Sequence, residues 1–215
     1  MITKTFDAQS EWFAERVGKI TGSTLKDIIV EKGKGEKIGY YQLIADVVAI
    51  PDDGENPMER GHRLEEQAVE RFIMETGLHV NTGHIVWERE DESRIAVSPD
   101  GVITKEEALI IPYIRPEDAI EVKCLSSARH LEAYLTQQIP NDYRKQTIQY
   151  FIVNDDLRKL HVVFFDPRVP CKDYFVILVR REEVQDLIDE YLLTEKMKLQ
   201  QVDNIVTMLR SGNPM

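Results

Sequence analysis

The stretch Ala119-Ile-Glu-Val-Lys-Cys124 sets two opposite charges two residues apart inside an otherwise apolar run. Such a run reads as a β-strand, on which residues i and i+2 face the same side. Glu121 and Lys123 then project together while Val122 points into the opposite layer. An unpaired charge in a core strand is costly, so the fold has to supply partners. Asp100, in Ser98-Pro-Asp-Gly101 at the end of the preceding apolar run, is the candidate. Beside Glu121 it would complete an oxygen-rich set of two carboxylates and the Val122 carbonyl, with the Lys123 ammonium about one water away. Those are the ligands a hard cation such as Mg²⁺ takes. A structural ion pair accounts for the same residues, and the rest of the chain has to decide between the two.

The hydrophobic periodicity predicts an α/β protein. Ser10 is a candidate N-cap for a first helix and residues 24–31 are a second helical segment, followed by a loop over 31–39. Helical spacing returns over 40–49 and 58–77, the latter closing on Gly77. Strands are expected at 79–88, 94–101 and 119–124, helices at 126–139 and 141–154, strands at 159–167 and 173–181, and a long C-terminal helix over 182–212. The pattern implies a central mixed β-sheet flanked by helices. With 215 residues, 42% of them hydrophobic, one domain is expected: an N-terminal helical part over 1–57, a core over 58–180, and the C-terminal helix over 181–215.

The N-terminus has no apolar signal segment and no stretch approaches membrane-spanning length, so a cytoplasmic protein without membrane attachment is expected. Cys124 and Cys171 are the only cysteines, too few for a disulfide framework or a four-cysteine metal site. The five histidines lack metalloprotease spacing. The net charge of −11 argues against a nucleic-acid partner, but the excess is local. Residues 38–100 carry fourteen acidic and five basic side chains, whereas residues 1–37 carry seven basic and six acidic.

"SPDG" followed by "EVK" resembles the bipartite signature of the PD-(D/E)-x-K nuclease superfamily, with its restriction-endonuclease-like core. Residues 11–23, "EWFAERVGKITGS", and 59–72, "ERGHRLEEQAVERF", are similar to segments of lambda exonuclease-like phage recombination nucleases, the YqaJ-type viral recombinase and alkaline exonuclease family. "FFDPR" at 164–168 fits the same pattern. The resemblance implies that Asp100, Glu121, the Val122 carbonyl and Glu65 hold two Mg²⁺ ions, with Mn²⁺ as a substitute, and that Lys123 is catalytic. It further implies that Gln146 or Gln149, near Tyr150, supports the site; that Arg16, Ser23 and Trp12 meet the 5′-phosphate end; and that Arg129 contacts DNA. The implied activity is 5′-to-3′ exonuclease digestion of linear double-stranded DNA, releasing 5′-mononucleotides and leaving 3′ overhangs. The implied assembly is a ring-shaped homotrimer working with a single-strand annealing protein in the bacterial host of a phage or prophage. A DNA endonuclease of the same fold and a non-catalytic DNA-end-binding module are the alternatives.

Overall fold

The computed structural model describes residues 10, 11, 14, 17, 19, 27–30, 34–51, 54, 56–104 and 116–211. In chain order the described elements are α1 (Ile38–Val48), α2 (Pro57–Thr76), β1 (His79–Asn81), β2 (Trp87–Arg89), β3 (Glu92–Val97), β4 (Gly101–Thr104), β5 (Asp118–Lys123), α3 (Ser127–Thr136), α4 (Asn141–Val153), β6 (Lys159–Phe165), β7 (Tyr174–Arg180) and α5 (Arg181–Ser211). Five strands make the central mixed sheet in the order β1-β4-β5-β6-β7, which puts the Glu–Val–Lys strand in the middle. Helices flank it, as the hydrophobic pattern predicts.

Local chemistry explains most boundaries. On α2, Leu64, Ala68, Val69 and Phe72 recur at helical spacing and are buried. The helix stops because Gly77 takes φ +67, a conformation that residues with a Cβ rarely adopt. Ser126 caps α3, its hydroxyl accepting from the Arg129 N–H at 3.4 Å.

The chain divides into two compact units that alternate along the sequence. One comprises Met1–Met74, Val122–Pro140 and Val163–Ile177. Within it α1 packs on α3 through Tyr41, Ala45, Ala128 and Leu131, with Val169 in the same cluster. Phe164 and Phe175 stack at 4.7 Å, and the buried His130 ring meets Phe175 edge-on at 4.9 Å. The other comprises Glu75–Glu121, Asn141–Val162 and Leu178–Met215. Within it β1 and β4 pair antiparallel, as do β4 and β5, and α4 packs against α5 and the two-stranded β2–β3 sheet.

Three expectations need correction. The strand expected over 79–88 is broken: Asn81 Oδ1 accepts from the Gly83 N–H at 2.9 Å, a side-chain turn that ends β1 and sends β2 into a separate sheet with β3. The strand expected over 94–101 likewise ends at Val97, so Asp100 stands just before β4 instead of closing β3. Within the expected helical segment 24–31, Asp27 is in a 3₁₀ turn, Ile28 is in a turn, and Ile29 and Val30 belong to no regular element. The expected first helix and the remainder of 24–31 lie largely outside the described residues.

Candidate active site

The register of β4 on β5 carries the geometry. Gly101 pairs with Ile120 and Val102 with Ala119, so Asp100, one residue before β4, comes opposite Glu121. Directly opposed residues on antiparallel strands have Cβ atoms about 4.5–5.5 Å apart. The sequence motif thus brings the carboxylate just before β4 level with the one on β5. Gly101 is favoured here by contact: a Cβ at this position would stand 2.5 Å from Val80 Cγ1 and 2.7 Å from Ile120 Cγ1. A residue without a side chain lets β4 settle between β1 and β5 and carry Asp100 to its place.

Glu121 is 2% exposed, and both of its carboxylate oxygens are engaged from α4. Gln146 Nε2 donates to Oε1 at 2.7 Å, and the Tyr150 hydroxyl makes a short hydrogen bond to Oε2. That hydroxyl also lies 3.0 Å from the Ser98 carbonyl oxygen, which ties the chain leading to Asp100 to the same helix. Gln146 and Tyr150 are four residues apart, so they share one face of α4. The Tyr150 ring is buried edge-on to Trp87, with centroids 6.3 Å apart. Of the two glutamines left open by the sequence, Gln146 is the one that reaches Glu121; Gln149 hydrogen-bonds Glu195 on α5.

The helix that holds Glu121 is itself held at its C-terminus. Arg181 donates to the carbonyls of Phe151 at 2.7 Å and Asn154 at 2.6 Å, and Arg89 donates to that of Ile152. Arginines at a helix C-terminus satisfy orphan carbonyls and oppose the helix dipole. Sequence reasoning passed over both arginines, because the pairing joins segments far apart in the chain.

The other expected site residues fall as follows. Lys123 ends β5, buried, on the same side of the strand as Glu121, and Val122 between them is buried too. Glu65 is half-buried on α2, one residue beyond the buried Leu64. Arg129 on α3 pairs with Glu132 at 2.7 Å. Trp12, Arg16 and Ser23 lie outside the described residues.

Among the described residues no three His, Cys, Asp or Glu side chains gather into a ready metal cage. Two opposed carboxylates with a nearby backbone carbonyl nonetheless fit Mg²⁺, which keeps several waters and is bound by one or two carboxylates instead of an all-protein shell.

Among solved structures, that of LHK-Exo, an alkaline exonuclease from Laribacter hongkongensis, is similar at TM-score 0.53 and 23% identity, over 94% of this chain and 100% of that one. The LHK-Exo complex with dAMP is similar at TM-score 0.53 and 24% identity, with the same coverage. A phage-related exonuclease from Haemophilus somnus 129PT matches at TM-score 0.45 and 17% identity, over 86% of this chain and 94% of that one. No curated protein matches the sequence. The fold is therefore the α/β fold shared with LHK-Exo. The model of the YqaJ-like viral recombinase domain matches residues 11–156. The chain belongs to that family, and its class is a viral recombinase-like protein.

Proposed function

We propose that the protein is a Mg²⁺-dependent exonuclease that enters linear double-stranded DNA at an end, digests the 5′-terminated strand to 5′-mononucleotides, and leaves a 3′ overhang for recombination by strand annealing. The observation that carries this is Asp100 opposite Glu121, with Lys123 two residues on and Gln146 and Tyr150 holding the Glu121 carboxylate.

Asp100, Glu121, the Val122 carbonyl and Glu65 would hold Mg²⁺, with Mn²⁺ as a substitute. The bound cation supplies a more acidic water and neutralises charge on the phosphate. The chain supplies placement. Gln146 and Tyr150 fix both Glu121 oxygens, so its free lone pairs keep one direction. Lys123 faces the same side and meets the attacking oxygen or the charge that develops on the phosphate in the transition state. Arg16 and Ser23 receive the terminal 5′-phosphate, for which a guanidinium fork is better suited than an ammonium. Trp12 borders that end, and Arg129 contacts the DNA backbone. The assembly is a ring-shaped homotrimer that hands its product to a single-strand annealing protein.

The test is digestion of linear duplex labelled at either terminus, with closed circular duplex alongside, in Mg²⁺ and in chelator. Loss of label from the 5′ end first, dependence on Mg²⁺ and survival of the circle are expected. Asp100→Asn and Glu121→Gln should each abolish cleavage while DNA binding persists, because the amides keep shape and lose charge. Cutting of the circle would point to an endonuclease, and wild-type rates in either variant would refute the site.

A further inference from the structure

The "FFDPR" segment folds into a buried charged cluster that the proposed chemistry does not use. Asp166 is 1% exposed and follows β6. Its Oδ1 accepts from Arg168 Nε at 2.9 Å and from the Arg168 backbone N–H at 3.1 Å. Its Oδ2 accepts from Arg168 Nη2 at 2.9 Å and from the Ser127 hydroxyl at 2.7 Å. Arg168 Nη2 also donates to the Leu125 carbonyl at 3.2 Å, and Arg60, itself 6% exposed, donates to the same carbonyl at 3.0 Å. The cluster is tied to the backbone on both sides: Asp166 N–H donates to the Asp173 carbonyl at 2.8 Å, and Ile50 N–H to the Arg168 carbonyl at 2.7 Å.

What the cluster grips is a single short turn. Cys124, Leu125 and Ser126 are the three residues between the end of β5 at Lys123 and the start of α3 at Ser127. One carbonyl receives two guanidiniums, which fills both of its lone pairs. Taking two arginines and an aspartate out of water is expensive, and apolar residues of similar volume often stabilise a core as well or better. Stability alone is therefore a weak reason for this arrangement. Burial would raise the Asp166 pKa, but the hydrogen bonds of Arg168 and Ser127 outweigh it and hold the carboxyl below its ordinary range, as a committed anion.

We infer that Asp166, Arg168 and Arg60 are positioning residues for Lys123: by clamping the Leu125 carbonyl and Ser127 they fix the point at which β5 delivers the Lys123 ammonium. This rests on the nuclease reading above, in which Lys123 acts in the chemical step. A lysine side chain has four rotatable bonds, so its reach is only as well defined as the backbone that carries it. A displacement of about 1 Å in such a group costs on the order of a hundredfold in rate.

The experiment compares wild type, Lys123→Ala, Arg168→Lys and Asp166→Asn as full-length proteins. It measures kcat per folded molecule and KM on linear duplex in Mg²⁺, together with deuterium uptake by peptides spanning 119–127. Arg168→Lys keeps the charge but loses the fork that joins Asp166 to Leu125. Both cluster variants are expected to lose about ten- to a hundredfold in kcat, with KM within about twofold of wild type and faster exchange confined to 119–127. Unchanged kcat per folded molecule would overturn the inference, and so would a raised KM at constant kcat, which marks a DNA contact. If wild type does not cut, or Lys123→Ala cuts normally, the nuclease reading has failed; unchanged exchange at 119–127 in the cluster variants then separately removes the clamp. Should both cluster variants fail to fold, Ser127→Ala removes one bond to Asp166 and leaves the ion pair. It is expected to lower kcat about three- to tenfold, and no change there would count against the clamp.

Discussion

Two residues show how the site depends on atoms that carry no chemistry. A Cβ at Gly101 would meet side-chain atoms of Val80 and Ile120 at 2.5–2.8 Å, so in Gly101→Ala those side chains or β4 itself must shift. Overpacking of this kind costs about 1–3 kcal/mol, and a shift of β4 carries Asp100 with it. Chemical denaturation should show that loss, with a fall in kcat larger than the stability change explains. The two glutamines of α4 make a cleaner contrast. Gln146 donates to a buried carboxylate, a charge-assisted bond worth about 1.5–3 kcal/mol, or roughly ten- to a hundredfold. Gln146→Ala should therefore lower kcat by that factor. Gln149→Ala should leave kcat per folded molecule within about twofold, since its side chain is engaged with Glu195. Steady-state kinetics normalised to folded protein decides between them.

At the scale of elements, α4 is the part on which Glu121 depends, and α5 is what steadies it. Arg181 at the start of α5 caps the end of α4, and Glu195 further along meets Gln149. Burial pushes the Glu195 carboxyl up, and the Gln149 hydrogen bond and the Arg89 charge only partly oppose that. A glutamate whose folded pKa is raised contributes stability that is fully present below its unfolded pKa, near 4.5, and is lost as pH rises through the folded value. Ionised Glu195 is thus a cost at neutral pH. Glu195→Gln keeps an acceptor for Gln149 and removes the titration. Its melting temperature should exceed that of wild type at pH 7 to 8, with the difference shrinking toward pH 4. A constant difference across that range would place the effect elsewhere. Among the described residues no helix is long and apolar enough to cross a membrane.

For the molecule as a whole, the formal charge of −11 bears on how it meets a polyanion. Net charge and local field are separate quantities, and a basic channel can act within an acidic protein when its field is focused. The proposed ring would do this if its inner surface were basic, and closed symmetry also prevents open-ended polymerisation. Light scattering of the active protein at working concentration should give three times the chain mass of 24.9 kDa. A monomeric mass with full activity would remove the ring from the proposal.

Much of the fold was legible in the sequence because periodicity is a local property. The apolar spacing of α2, Gly77 at its end, and the strand 118–123 with its two charges all follow from neighbours within a few residues. The pairing of Asp100 with Glu121 was legible in kind, since both residues stand in short motifs. What tertiary structure alone decided is the set of contacts that link distant segments: Tyr150 on Glu121, Arg89 and Arg181 at the end of α4, and Asp166 and Arg168 around Leu125. The same limit explains the strand expected over 79–88. Its residues have strand character throughout, and only the Asn81 turn and the packing of Trp87 against Tyr150 assign its two halves to different sheets. The sequence by itself determined which residues are the candidates for the chemistry. Their orientation came from hydrogen bonds between segments far apart in the chain, which no local pattern encodes.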